Sequence, residues 1–376
     1  MRRLWARGIL LCTTLLASAG PAAAEFYPSG QLILVARNAD ISNVSNQTNA
    51  GFSAFDAATL RFFLDARATE RLSGFVQFYA SGYSGATLYG AYVRYDHTPA
   101  LHLEAGLIPT PVGLWGPRTY ADKNPLVGLP AMYQYKTSLA VKGDLQTTDE
   151  EILEERGTGE HNPIVYDFCW NTGVHAYTSI GLLDLGAAMT NGSLGSPARD
   201  MVYDRPSVSA HLSIVPGPWL TLGLWGAAGP YLSPRAETVV PEGKRIEDYD
   251  QSSVGALAHA ASGHWEAYAE GVWNRYEHPF LGDLENRGGY IDLRVDVAPK
   301  WFVAGRLDHL SFSRLARAVD LDQARWDHPL TRIEAGIGRN LSHKSLLKVV
   351  TQIVRYTGAP KSLNEEIFAL QFVANL

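Results

Sequence analysis

Apolar and polar residues alternate with a period of two in about 16 separate segments of this chain, and few architectures accept that pattern. Leu60, Phe62, Leu64 and Ala66 interleave with Arg61, Phe63, Asp65 and Arg67. Tyr89, Ala91, Val93 and Tyr95 oppose Tyr92, Arg94 and Asp96, and Leu101, Leu103, Ala105 and Leu107 oppose His102 and Glu104. This periodicity marks strands with one apolar and one polar face. Further strands are expected at 31–37, 71–79, 168–178, 182–190, 206–215, 219–227, 251–260, 265–274, 289–297, 301–310, 331–339, 346–356 and 366–376. Most are ~9 to 11 residues long, enough to cross a bilayer as tilted strands. Connectors 67–71, 96–101, 180–182, 215–219, 261–264, 297–301 and 340–345 are tight. Those at 38–54, 191–205, 229–250, 275–287 and 312–328 are long.

Alternation alone also suits a soluble sandwich, so the aromatic positions decide. Trp265 and Trp273 share a face, with Ala267, Ala269 and Gly271 between them. At about 3.3 Å per residue and a tilt near 40°, the two indoles stand roughly 20 Å apart along the membrane normal. Two interfacial girdles have about that separation, and Tyr89 and Tyr95 bracket Ala91 and Val93 in a similar way. The expected fold class is all-β, a transmembrane antiparallel β-barrel of about 16 strands, or about 14 if two weak segments fail. Segments 206–215 and 219–227 are the weakest, because Trp219 and Trp225 fall opposite the leucine face.

The remaining composition agrees. Arg2, Arg3 and Arg7, an apolar run at 8–19 and Ala22-Ala23-Ala24 before Glu25 form a secretory signal peptide over 1–24, leaving 25–376 as the barrel. The apolar run is too short to span a membrane as a helix. Of the two cysteines, Cys12 lies in that run after Leu10-Leu11, which does not suit lipidation, and only Cys169 stays in the mature chain, so there is no disulfide scaffold. Removing the three arginines takes the formal net charge from −6 to −9, against a nucleic-acid partner.

One segment breaks the alternation. Residues 106–139 hold five prolines and four glycines, with Trp115, Tyr120, Tyr133 and Tyr135 among a few charges, so they form neither a helix nor a ladder. A loop of this length and aromatic content is expected to fold against a surface, here the inside wall of the barrel. The acidic run Asp149, Glu150, Glu151, Glu154 and Glu155 has helical spacing and reads as a short solvated helix, with divalent-cation binding as the alternative.

Signal peptide, strand count, asymmetric connectors, the long loop after the fifth strand and a final strand alternating Phe368, Leu370, Phe372, Ala374 and Leu376 together resemble a bacterial outer-membrane porin. Terminal strands of such barrels usually end in Phe, so Leu376 departs slightly. Residues 106–113, GLIPTPVG, resemble the strand-to-loop junction of the phosphate-selective porin-like group. The resemblance implies an outer-membrane location among lipid and lipopolysaccharide, handling by the barrel-assembly machinery through the C-terminal strand, a possible homotrimer and a constriction loop in a water-filled lumen. No cofactor or metal is implied.

With apolar faces toward lipid, the pore-lining set becomes Arg61, Asp65, Arg94, Glu104, Glu266, Glu270, Asp292, Arg294, Arg306, Asp308, Arg332, Glu334 and Lys348, with Arg67, Asp96 and Asp296 beside them. Both signs are present, whereas phosphate selection would want lysines and arginines with few acids. The constriction candidates are Trp115, Arg118, Tyr120, Asp122, Lys123, Tyr133 and Tyr135; the aromatics serve either as loop anchors or as a surface for sugar rings. The expected function is a passive diffusion channel for small hydrophilic solutes or ions. The alternative is a closed structural or adhesive barrel. A hydrolase is less supported, because the eleven histidines are scattered and no HExxH or GxSxG motif is present.

Overall fold

The computed structural model describes residues 24–42, 46, 53–56, 58–82, 85–142, 144–166, 170–200, 202–315 and 324–376. The signal segment 1–23 and Cys169 lie outside the described residues. Sixteen antiparallel strands close into one barrel in sequence order. They are β1 (Glu25–Ala39), β2 (Thr59–Arg67), β3 (Leu72–Ser81), β4 (Gly85–Asp96), β5 (Leu101–Ile108), β6 (Asn171–Ile180), β7 (Leu183–Thr190) and β8 (Ser207–Gly217). They continue as β9 (Leu220–Pro230), β10 (Asp250–Ser262), β11 (Trp265–His278), β12 (Gly282–Ala298), β13 (Trp301–Phe312), β14 (Leu330–Ser342), β15 (Ser345–Tyr356) and β16 (Glu365–Asn375). Closure runs between β1 and β16, from Gln31 opposite Asn375 to Ala39 opposite Ile367. All sixteen expected segments, including the doubtful pair that became β8 and β9, are strands.

The faces separate as the alternation requires. Phe62 is 41% exposed and Ile291 59% exposed, and Leu34, Leu222, Leu293, Ile333, Phe368 and Leu370 also lie open on the outside. An apolar belt of this extent is incompatible with water and marks the surface that meets lipid. Trp265 and Trp301 stand exposed at the short-turn end, at the start of β11 and β13, as an aromatic girdle, and Trp219 is exposed in the turn between β8 and β9. Trp225, in contrast, is buried inside the barrel.

Two expectations need correction. Tyr89 does not join the outer face. The β3–β4 register shifts between Gln77 and Phe78, pairing Gln77 with Gly90 and Phe78 with Leu88. The extra residue turns Tyr89 inward, where its ring lies 5.0 Å from that of Tyr79, and Leu88 takes the outer position. Residues 275–287 are not a long connector either. Pairing continues through Arg275–Glu285 and Tyr276–Leu284 to His278–Gly282, so only 279–281 turn. Inward Tyr276, Leu281 and Leu284 pack into the main buried apolar cluster and hold this extended hairpin over the barrel mouth.

Candidate functional site

The long excursion begins after Ile108, later than expected, and returns at Asn171. Its described residues hold three short helices, α1 (Trp115–Arg118), α2 (Ala131–Gln134) and α3 (Asp149–Glu154). The acidic run is the last of these. Thr148 caps it, with the Glu151 amide donating to the Thr148 hydroxyl and the Thr148 amide to the Glu151 carboxylate, both at 3.3 Å.

The segment crosses the interior on hydrogen bonds and ion pairs that the wall supplies to many of its polar groups, though the Trp115 indole N–H and the Thr119 hydroxyl are buried without a partner. On the β11–β15 side the inward charges form a mixed array that the loop caps. Glu270 accepts from the Tyr133 hydroxyl at 2.8 Å and the Leu114 amide at 3.4 Å. Gly113, at φ +81°, lets the chain pass where a Cβ would collide with Tyr133 and Glu270. Asp292 sits between Arg118 and Arg306, 2.5 Å from each. Asp308 accepts from the Ala131 amide at 2.8 Å and from Arg332 at 2.9 Å. Glu334 accepts from the amides of Val127 at 3.2 Å and Gly128 at 2.7 Å. Arg306 donates to the Gly128 carbonyl, Arg332 to the Leu129 carbonyl, and Lys348 to the carbonyls of Ala121, Asn124 and Leu126 at 2.9, 3.0 and 2.8 Å. These wall charges are buried and hydrogen-bonded, with the Oε1 of Glu270 the one carboxylate oxygen among them left without a partner.

The segment also reaches the neighbouring β1–β3 wall. The Ala121 amide donates to Gln31, which in turn donates to Asp122 at 2.7 Å. Arg61 donates to the Thr119 carbonyl at 3.2 Å and lies over the Tyr120 ring, whose hydroxyl donates to Gln77. The constriction candidates therefore divide. Trp115, Arg118 and Tyr135 are fully enclosed anchors; Tyr133, also mostly buried, borders the remaining space; Tyr120 and Asp122 are half-buried, and Lys123 is 67% exposed.

The pore-lining candidates divide as well. Arg61, Glu270, Asp292, Arg306, Asp308, Arg332, Glu334 and Lys348 lie beneath the loop, while Asp65, Arg94, Glu266 and Arg294 stay open to solvent nearer the short-turn end. Glu104, buried on β5, accepts from Tyr177 at 3.2 Å. A cavity of about 320 Å³ remains on the long-loop side, bordered by Arg37, Tyr79, Tyr89, Gln134, Lys136 and Glu334.

Several structural partners are absent from the sequence-derived set. Asp327, just before β14, accepts from the Tyr135 hydroxyl at 3.0 Å and the Ser138 amide at 2.9 Å, and burial pushes its carboxyl up to about 7. Trp170 stacks on Phe75 at 6.1 Å, extending an aromatic surface with Phe63 and Tyr92 on the β2–β4 wall. Four histidines, His102, His175, His211 and His259, face inward along β5 to β10. Parity alone places them there, opposite the leucines.

No protein-family model and no curated sequence matches the chain. Its structure is similar to the loop L8 deletion mutant of OmpT, an outer membrane protein of Vibrio cholerae, with a TM-score of 0.61 and 9% identity, covering 94% of this chain and all of that one. An anion-selective porin from Comamonas acidovorans gives a TM-score of 0.58 with 11% identity over 94% of this chain and 100% of that one. The outer membrane channel DcaP of Acinetobacter baumannii gives 0.56 with 9% identity over 95% and 99% of the respective chains. With a closed ring of sixteen strands, an apolar outer belt and a segment folded across the lumen, the chain has the fold of a porin-like barrel of the bacterial outer membrane.

Proposed function

We propose that the protein is a passive outer-membrane channel for small hydrophilic solutes or ions, narrowed by residues 109–170. The observation that carries this reading is the cavity between the inward segment and the β1–β4 and β14–β16 walls, bordered by Arg37, Lys136 and Glu334 and by the rings of Tyr79 and Tyr89. Beneath the segment, Asp65, Arg94, Glu266 and Arg294 leave charges of both signs in contact with water, an arrangement that orients polar solutes and sets a weak ion preference. A mixed lining does not favour phosphate. A trimeric assembly is part of the proposal, since the similar OmpT of Vibrio cholerae is described in a trimer form.

A second reading, a closed structural barrel, draws on the packing of the β9–β13 side. There Trp115, Met132, Tyr135, Leu139 and Ile152 join Tyr231, Tyr276, Phe312 and Trp326 in one buried apolar cluster that fills that half of the mouth. Planar-bilayer recording of the refolded mature chain separates the two. Stable conductance steps, with a reversal potential in a salt gradient, are expected for the channel. Silence from a barrel whose folding is verified by heat-modifiable gel migration refutes the channel and supports the closed form.

A further inference from the structure

Two of the inward histidines are set apart from the rest by standing next to each other. His175 on β6 and His211 on β8 lean toward each other over Gly186 of the intervening β7, with ring centroids 6.2 Å apart. The His211 Nδ1 lies 2.9 Å from the Pro111 carbonyl. A carbonyl only accepts, so Nδ1 carries the proton and the neutral ring presents its Nε2 lone pair. The His175 Nδ1 faces the Glu104 carboxylate at 3.4 Å, which fixes the same tautomer, and its Nε2 is buried without a hydrogen-bond partner. Glu104 is itself held by the Tyr177 hydroxyl.

These are the two supports that metal-binding imidazoles use: a carboxylate behind one ring and a backbone carbonyl behind the other. A metal–nitrogen bond of about 2.0–2.1 Å puts each ring centroid ~3.2 Å from the ion, so two rings on one ion have centroids up to ~6.4 Å apart. The observed 6.2 Å falls just within that limit and calls for a wide, near-trans nitrogen–metal–nitrogen angle of about 150°. Gly186 makes the approach possible, since a Cβ there would stand 2.3 Å from His211 Cε1 and 3.0 Å from His175 Nε2.

We infer that His175 and His211 form a two-imidazole site for a divalent transition-metal ion of square-planar or tetragonal preference, Cu²⁺ or Ni²⁺, with water completing its shell. Imidazole suits these ions and discriminates against Mg²⁺ and Ca²⁺, which take oxygen. No group of three or more protein ligands gathers among the described residues, so the site is an open, exchangeable one rather than a closed structural centre. Because His211 also holds Pro111, the ion binds where the inward segment leaves the wall.

The test uses Cu²⁺ on the refolded, tag-free mature barrel in detergent, read by electron paramagnetic resonance and by competition with a chelator of known affinity. It does not require an open channel, so its outcome is independent of the conductance experiment. Coupling to two imidazole nitrogens is expected, with His175→Gln and His211→Gln each weakening binding at least tenfold. Glu104→Gln is expected to weaken it by about tenfold through the lost support. His259→Gln, which removes an inward histidine paired with Glu266, is expected to change nothing. Gly186→Ala keeps both imidazoles and fills the gap between them, so it is expected to abolish the two-nitrogen signal. A one-nitrogen spectrum, or unchanged affinity in either folded histidine variant, overturns the inference. Should both histidine variants fail to fold, a two-nitrogen signal that persists in Gly186→Ala overturns it.

Discussion

Replacing Lys348 by Met tests whether wall charges hold the inward segment through its backbone. The ammonium is fully buried and donates to three carbonyls, those of Ala121, Asn124 and Leu126. Methionine keeps much of the volume of the stem, so the loss falls on three acceptors left without a donor. Hydrogen bonds to a charged group contribute ~1.5–3 kcal/mol each. Water readmitted from the lumen recovers part of that, leaving a cost of about 3 kcal/mol. The cost stays local, because the closed sixteen-strand ladder does not depend on Lys348. At ~1.4 kcal/mol per factor of ten, the detached state of residues 121–126 gains about 100-fold in population. Hydrogen exchange followed by mass spectrometry reads this directly at the amides of Ala121, Leu126, Val127 and Gly128, which donate to Gln31, Asn124 and Glu334. Exchange across this stretch should accelerate by about two orders of magnitude while the strand peptides keep their protection. Unchanged exchange there in a folded Lys348→Met barrel would refute the reasoning.

Arg306→Met removes the guanidinium that joins Asp292 to Glu334 and donates to Gly128. The carboxylates left buried should cost about 3–5 kcal/mol, seen as a lower urea midpoint for loss of heat-modifiable migration, and Glu334→Gln in the same chain should recover part of it. Asp327 gives a pH signature. Its folded pKa of about 7 lies above the ordinary 3.8, so its contribution is fully present below about pH 4 and lost as pH rises through about 7. Thermal unfolding should therefore show wild type losing stability relative to Asp327→Asn between pH 5 and pH 8, and a constant difference across that range would count against a buried, proton-binding Asp327.

Strand positions were legible because lipid on one side and water or loop on the other impose period two, and Leu60 to Arg67 displays it with Phe63 as the one apolar residue on the inner face. The Tyr89 inversion was not, since a bulge adds one residue without any compositional mark. The extended β11–β12 hairpin was hidden for a related reason. Its outer face carries Arg275, Glu277, Asp283 and Glu285, and such polar residues read as a loop although their backbones are paired. Within the candidate site, inward parity correctly gathered Asp292, Arg306, Glu334 and Lys348. Their burial was not legible, because it depends on a segment brought in from some 150 or more positions away. The same distance concealed Asp327, whose partners Tyr135 and Ser138 come from the inward segment. His175 and His211 looked scattered because the whole of β7 and its connectors separates them along the chain, and only the register over Gly186 makes them neighbours.

The contacts between the segment and the charged wall have an informational consequence. Lys348, Arg306 and Arg332 grip carbonyl oxygens, while Glu334 and Asp308 grip amide hydrogens, and every amino acid but proline offers both. The side chains at 126, 127, 129 and 131 thus take no part in the ionic recognition and can be exchanged for others of similar size while the grip persists. Where the docking surface is written in main-chain atoms, as at 126–131, it leaves little trace in the alphabet of side chains; Arg118 and Tyr133, which meet Asp292 and Glu270 through their side chains, are the part that does.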